Sequence, residues 1–164
     1  MAIKIHGGED TPLVQCINPI LDKWMVLWAV GFEEDSFTFM AEEFNHKPIL
    51  QEIKDTILTW YNTRIEEKIL SGFTWKDIPI WLSMENQFNY KAAYDIAAQS
   101  GGEILPAFKF GTTESPVYYK FESFEDLKDF YLKAMEFISQ TLSEGWATKD
   151  AINWSPYSVI LDNQ

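Results

Sequence analysis

The spacing of apolar positions changes several times along the chain, and each change predicts a different element. Met25-Val26-Leu27-Trp28-Ala29-Val30-Gly31-Phe32 is rich in residues that suit a pleated surface, and predicts a strand. The polar Glu33-Glu34-Asp35-Ser36 turns the chain, and Phe37-Thr38-Phe39-Met40-Ala41 predicts the returning strand. From residue 48 to 70 the period becomes four: Ile49, Ile53, Ile57, Tyr61, Ile65 and Ile69 predict a helix, with Pro48 suited to its first turn. A strict spacing of four drifts around a straight helix, so its apolar stripe should slant. A core helix is the simpler reading, with an oligomeric coiled coil as the alternative. Gly72 suits its end, since glycine adopts the left-handed conformation found there.

Two further hairpins are each followed by a helix. Phe73-Thr74-Trp75 and Ile78-Pro79-Ile80-Trp81-Leu82 flank Lys76-Asp77, and Pro79 marks an edge because it has no N–H for a ladder. Ser83 predicts an N-cap for a helix over 84–99, with Phe88, Ala92 and Ile96 on its core face beside Ala93 and Ala97, and Gly101-Gly102 after it. Residues 104–110 and 117–121 predict the second hairpin around the turn-rich 111–116. Ser123 and Asp126 then resemble a capping box for a helix over 124–144. Its face is Phe124, Leu127, Tyr131, Ala134, Ile138 and Leu142, and Gly145 is the expected stop. The tail from Trp146 should hold a short helical turn and a strand at 158–161.

The resulting fold class is α+β, with antiparallel hairpins and helices packed on one face: an N-terminal hairpin, a helix, then β-β-α-β-β-α. One domain is expected over 1–164, comprising a β-rich segment 1–46, the helix and hairpin–helix units 47–153, and a tail 154–164.

Composition narrows the function classes. A net charge of −12 argues against a nucleic-acid partner, whose phosphates need clustered Lys and Arg, and against an anionic membrane surface. The most apolar run, Trp24 to Phe32, is too short to span a bilayer as a helix, so no membrane insertion is expected. The N-terminus lacks the apolar stretch of a signal peptide, which makes a soluble protein made in a cytoplasm the expectation. Cys16 is the single cysteine and forms no intrachain disulfide.

Candidate chemistry is sparse. There is no Walker loop, GxGxxG, HExxH, GxSxG or paired CxxC, and the two histidines, His6 and His46, lack a metal-ligand partner at helical spacing. No catalytic residue, metal or cofactor is therefore expected. The acidic runs Glu33-Glu34-Asp35, Glu42-Glu43 and Glu66-Glu67 suggest a glycoside hydrolase only if two carboxylates face across a groove. Asn153-Trp154-Ser155 matches a glycosylation acceptor by chance. Seven tryptophans are the notable excess, and exposed aromatic faces stack on sugars or anchor protein partners. The candidate interaction residues are Trp75, Trp81, Tyr118 and Trp146.

A longer pattern adds a setting. Gly72-Phe73-Thr74-Trp75 and Ile80-Trp81-Leu82-Ser83-Met84-Glu85-Asn86-Gln87-Phe88-Asn89 are followed by Phe108-Lys109-Phe110, Val117-Tyr118-Tyr119-Lys120-Phe121, Ser123-Phe124-Glu125-Asp126-Leu127 and Lys149-Asp150-Ala151-Ile152. Over residues 60–153 this resembles the uncharacterised domain of bacteriophage tail-fibre and tail-fibre-assembly proteins. That domain usually has Gly where Lys76-Asp77 stands, and often Asp-Asn in the second turn. The resemblance implies a non-catalytic role in the virion tail, or in the host cytoplasm during assembly, with other phage tail proteins as partners. Self-association and a glycan are the further partners considered.

Overall fold

The structure, a computed structural model, describes residues 1–162, with side chains described through Ser158. The fold is α+β, and it divides into two compact units: Met1–Tyr61 with the chain from Lys149 onward, and Asn62–Thr148. The division falls inside two helices, so no shift in composition marks it.

The first unit is built on one antiparallel sheet of β1 (Ile3–Gly7), β2 (Val14–Asn18), β3 (Lys23–Glu33) and β4 (Ser36–Phe44), in the order β1-β4-β3-β2. The expected hairpin is its centre, with Glu33 opposite Ser36. Glu34 and Asp35 at the tip have φ of 47° and 62°, the left-handed pair that matches the twist of a two-residue hairpin. The register shifts between Trp28 and Gly31, where Ala29 has φ 51°, as in a β-bulge. Both faces of the sheet are apolar, which explains the unbroken hydrophobic run of β3. Trp24, Val26 and Trp28 belong to one cluster and Leu27 to another, with Phe39 and Ala41.

Helix α1 (Leu50–Ser71) begins in this unit. Glu52 accepts from the Ile49 N–H at 2.8 Å, satisfying an orphan donor of the first turn. Ile53 and Ile57 are buried against Val14, Trp24 and Trp28. The strand expected at 158–161 is instead part of α4 (Ser155–Asp162). Asn153 Oδ1 takes the Ser155 N–H at 3.0 Å, and Pro156 fits the first turn. The buried Tyr157 packs in the same cluster, and its hydroxyl donates to the Leu27 carbonyl at 2.8 Å.

The second unit contains the rest of α1, β5 (Phe73–Trp75), β6 (Ile78–Ile80), α2 (Met84–Gln99), β7 (Ala107–Gly111), β8 (Pro116–Lys120) and most of α3 (Phe124–Asp150). The expected β-β-α-β-β-α order is present, as two separate two-stranded sheets. Lys76 and Asp77 have φ of 50° and 62°, so the first of these hairpins also closes on a left-handed pair. Ser83 caps α2 by accepting the Asn86 N–H at 3.2 Å. Beyond the helix, Gly101 and Gly102 take φ of 64° and 86°, and the Gly102 N–H reaches back to the Ala97 carbonyl at 2.8 Å. The core is aromatic: Trp75, Tyr90, Phe110, Phe121 and Phe130 pack ring to ring.

Three local expectations are corrected. The face of α2 carrying Phe88 and Ile96 is exposed; Tyr90 is buried in its place, together with Ala97, expected beside the core face. The helix has apolar residues on both sides, and the aromatic core selects the side where Tyr90 meets Phe108 and Phe130. Gly145 does not end α3, which continues to Asp150. It sits where a Cβ would come within 2.3 Å of Ile65 Cδ1, so it serves the close approach of α1 and α3. The capping box is half formed: Ser123 Oγ accepts the Asp126 N–H at 3.2 Å, but the Asp126 carboxylate is bonded by Lys76 and Tyr119.

Candidate interaction surface

In the second unit three helices leave an apolar depression of about 390 Å³. α1 supplies Glu66, Ile69 and Leu70, α3 supplies Ile138 and Leu142, and Leu82, Met84 and Gln87 come from the entry to α2. That entry is fixed by backbone and side-chain bonds. The Leu82 N–H donates to the Leu70 carbonyl at 3.0 Å, Asn86 Nδ2 to the Trp81 carbonyl at 2.8 Å, and Gln87 Nε2 to the Leu82 carbonyl at 2.8 Å. Lys68 Nζ joins Glu144 across α1 and α3 at 2.9 Å. The hydrogen bond from Lys68, then that from Gln140, holds the Glu144 carboxyl below its usual range.

Apolar exposure continues from both ends of this groove. Met84 at its rim is 81% exposed, and Phe88, one turn further along α2, is 72% exposed. Trp146, one turn beyond Leu142 on α3, is 55% exposed. Among the described residues Glu66 is the only charged one lining the groove, and neither it nor Glu85, next to Met84 in the chain, forms an ion pair there.

The four candidate aromatics are not brought into one patch. Trp75 is 3% exposed, which corrects its candidacy as a surface contact. Its ring lies among Phe110, Tyr119, Phe121 and Phe130, and its Nε1–H donates to Asp129 Oδ2 at 2.9 Å. Trp81, 52% exposed, lines a second depression of about 500 Å³ with Ser71, Thr112 and Thr113. Tyr118 is exposed on β8, with Lys109 Nζ 5.9 Å from its ring centre. Trp146 extends the apolar groove. The sequence reading missed Met84 as a site residue and placed Phe88 in the core; their i, i+4 spacing on a helix with a second apolar face was the available signal.

An ionisable cluster of Lys76, Tyr119 and Asp126 acts as a clasp. Lys76 Nζ lies 2.6 Å from Asp126 Oδ1 and 2.8 Å from the Tyr119 hydroxyl, and 4.4 Å from the Trp75 ring centre. Hydrogen bonding to Asp126 and then Tyr119 pushes Lys76 up to about 12. Burial raises the Asp126 carboxyl, but the bonds from Lys76 and Tyr119 together outweigh it and leave the group lowered. A lysine so firmly protonated is a poor base or nucleophile near neutral pH. The clasp joins the turn of one hairpin to the second hairpin and the start of α3.

The other candidate chemistry is dispersed. Glu33 pairs with Lys4, Glu42 with the N-terminal ammonium at 2.5 Å, and Glu67 with Arg64 at 3.0 Å. His6 Nδ1 meets Ser36 Oγ at 2.7 Å, and His46 Nε2 meets Glu52 at 2.9 Å. In the first unit Glu42 and Asp55 line an open depression of about 440 Å³ with Trp28 and Trp60, whose rings meet edge to face. Among the described residues the buried Trp28 Nε1–H has no hydrogen-bond partner. Among the described residues no group of three His, Cys, Asp or Glu side chains could hold a metal ion, and no helix is long and apolar enough to cross a membrane.

Compared with family models, curated proteins and solved structures, the chain matches none.

Proposed function

We propose that this chain is a non-catalytic protein that acts by contacting another protein through the groove of its second unit. The carrying observation is the apolar floor of Ile69, Leu70, Leu82, Ile138 and Leu142, continued by the exposed Met84 and Phe88. Leaving a large apolar side chain in water forgoes about 1.5–3 kcal/mol of burial. Contiguous exposure of this kind marks contact sites.

The proposed setting is a bacteriophage tail, as a virion component or a tail-fibre assembly factor. Two observations support it. The compact unit Asn62–Thr148 lies inside the residues 60–153 that carry the resemblance. The left-handed φ of Lys76 and Asp77 also suits the turn that the tail domain usually fills with Gly. Mass spectrometry of virions and assembly intermediates from cells making the protein tests this setting. Presence in virions supports a component, presence in intermediates alone supports an assembly factor, and absence from both rejects the setting.

A second reading, a glycan-binding module, is favoured by the depression beside Trp81. Among the described residues three hydroxyl side chains and no charged side chain line it, a chemistry suited to a neutral sugar stacked on the indole. Glycan-array binding that is lost in Trp81→Ala supports this reading; equal binding by both proteins rejects it.

A further inference from the structure

The groove of the second unit also constrains what occupies it. Its walls are helices α1, α2 and α3, whose interior backbone groups are already paired i to i−4, so it offers no free strand edge. An extended segment laid there would leave its own N–H and C=O groups without main-chain partners. A helix satisfies its backbone internally and presents apolar anchors at i, i+3, i+4 and i+7. Ile138, Leu142 and Trp146, at i, i+4 and i+8 on α3, form a track about 12 Å long at 1.5 Å per residue.

Charge narrows the choice further. Glu66 lines the groove and Glu85 stands beside Met84, both without an ion pair among the described residues. A neutral helix covering Glu66 would strip water from a carboxylate without replacing it. A second copy of this chain would bring another net charge of −12 and its own unpaired Glu66 and Glu85.

We propose that the groove accepts an amphipathic helix of a partner protein that carries Lys or Arg beside its apolar positions. This rests on the reading of the groove as a protein-contact site. Apolar anchors fill the floor between α1 and α3, while the cations pair with Glu66, which lines the groove, and with Glu85, the exposed residue after Met84, and are steered by the acidic surface.

The test is a displayed library of amphipathic helices with fixed apolar positions and polar positions drawn equally from Lys, Glu, Gln and Ser. It is selected on the full chain. Groove-dependent binders are those lost with Met84→Gln, an exposed change that spares the core, or with Leu142→Ala. Among them the Lys-to-Glu ratio should rise about tenfold over the input. Glu66→Lys/Glu85→Lys should return it to the input value. Glu114→Lys/Glu122→Lys, which changes net charge equally elsewhere on the surface, should leave the enrichment in place.

Groove-dependent binders without Lys enrichment overturn the inference and leave the contact reading standing. The same holds if both double variants abolish the enrichment equally, since attraction is then a property of the whole chain. The absence of any groove-dependent binder overturns the contact reading and the inference with it. Self-association lost on Met84→Gln, seen by sedimentation velocity, overturns the inference in favour of a second copy.

Discussion

Gly145→Ala is a substitution for which helix propensity and packing predict opposite signs. In a helix interior, replacing Gly with Ala ordinarily stabilises by about 0.5–1 kcal/mol. At this position the new Cβ would stand 2.3 Å from Ile65 Cδ1 and 2.6 Å from Cγ1. Rotation about χ2 can move Cδ1 aside, but Cγ1 is held by χ1, which is nearly fixed for isoleucine in a helix. Relief therefore requires α1 and α3 to separate locally, an overpacking cost of about 1–3 kcal/mol. The expected net change is a loss of about 0.5–2 kcal/mol, or a fall of about 2–4 °C in Tm per kcal/mol. Urea melts followed by circular dichroism measure it directly. In an Ile65→Ala background the clash disappears, and Gly145→Ala should stabilise by about 0.5–1 kcal/mol. The coupling between the two sites should then be about 1–3 kcal/mol. A gain in stability in the parent chain would refute the reasoning. So would the same effect in both backgrounds.

Three further outcomes follow from the second unit. Asp77→Gly should stabilise by about 0.5–1 kcal/mol in urea melts, because φ is 62° there and Gly bears no Cβ penalty in that region, whereas Asp77→Ala should destabilise. Trp75→Phe should lower stability in the same melts, since it removes the 2.9 Å bond to Asp129 and leaves a smaller ring in a space where the indole is 3% exposed. The clasp sets a pH dependence with two ends, read from Tm against pH for the parent and Asp126→Asn. Asp126 is lowered from its ordinary 3.8, so its stabilisation is present above that value and is lost as pH falls through the lowered one. Lys76 is raised from 10.5 to about 12, so its contribution is complete below 10.5 and fades as pH rises through about 12. The difference between the two proteins should be flat across the neutral range and shrink at both extremes; a change near neutrality would contradict this.

Local signals were legible where one residue type decides the geometry. Ser83 and the Gly101-Gly102 pair set the ends of α2, and the central hairpin of the first sheet followed from its polar tip. Strands β1 and β2 were not picked out, although Ile3, Lys4, Ile5 and His6 alternate as an edge strand does. Gly145 illustrates an ambiguity of composition. A glycine that ends a helix and one that admits a neighbouring helix look alike until the neighbour is placed. The face of α2 was undecidable for a similar reason: Phe88 and Ile96 compete with Tyr90, and the ring cluster around Phe130 selects between them. Trp75 was misread because its indole N–H finds an acceptor in Asp129, 54 positions away in the chain.

The exposed stripe on α2 has no role in the described packing, and that separates contact from stability at Met84. A side chain that supports the fold lowers Tm when it is removed; one kept for a partner does not. Met84 is 81% exposed, so Met84→Gln should change stability by no more than about 0.5 kcal/mol, as surface substitutions away from special features do. Tm should stay within about 1–2 °C of the parent. Binding of a helix in the groove should nevertheless fall by about tenfold or more, because truncating a desolvated anchor commonly costs more than 1 kcal/mol. Differential scanning fluorimetry and titration of one selected helix measure both quantities on the same sample. If Tm and affinity fall together, Met84 belongs to the core. If neither moves, the groove is not where the partner sits.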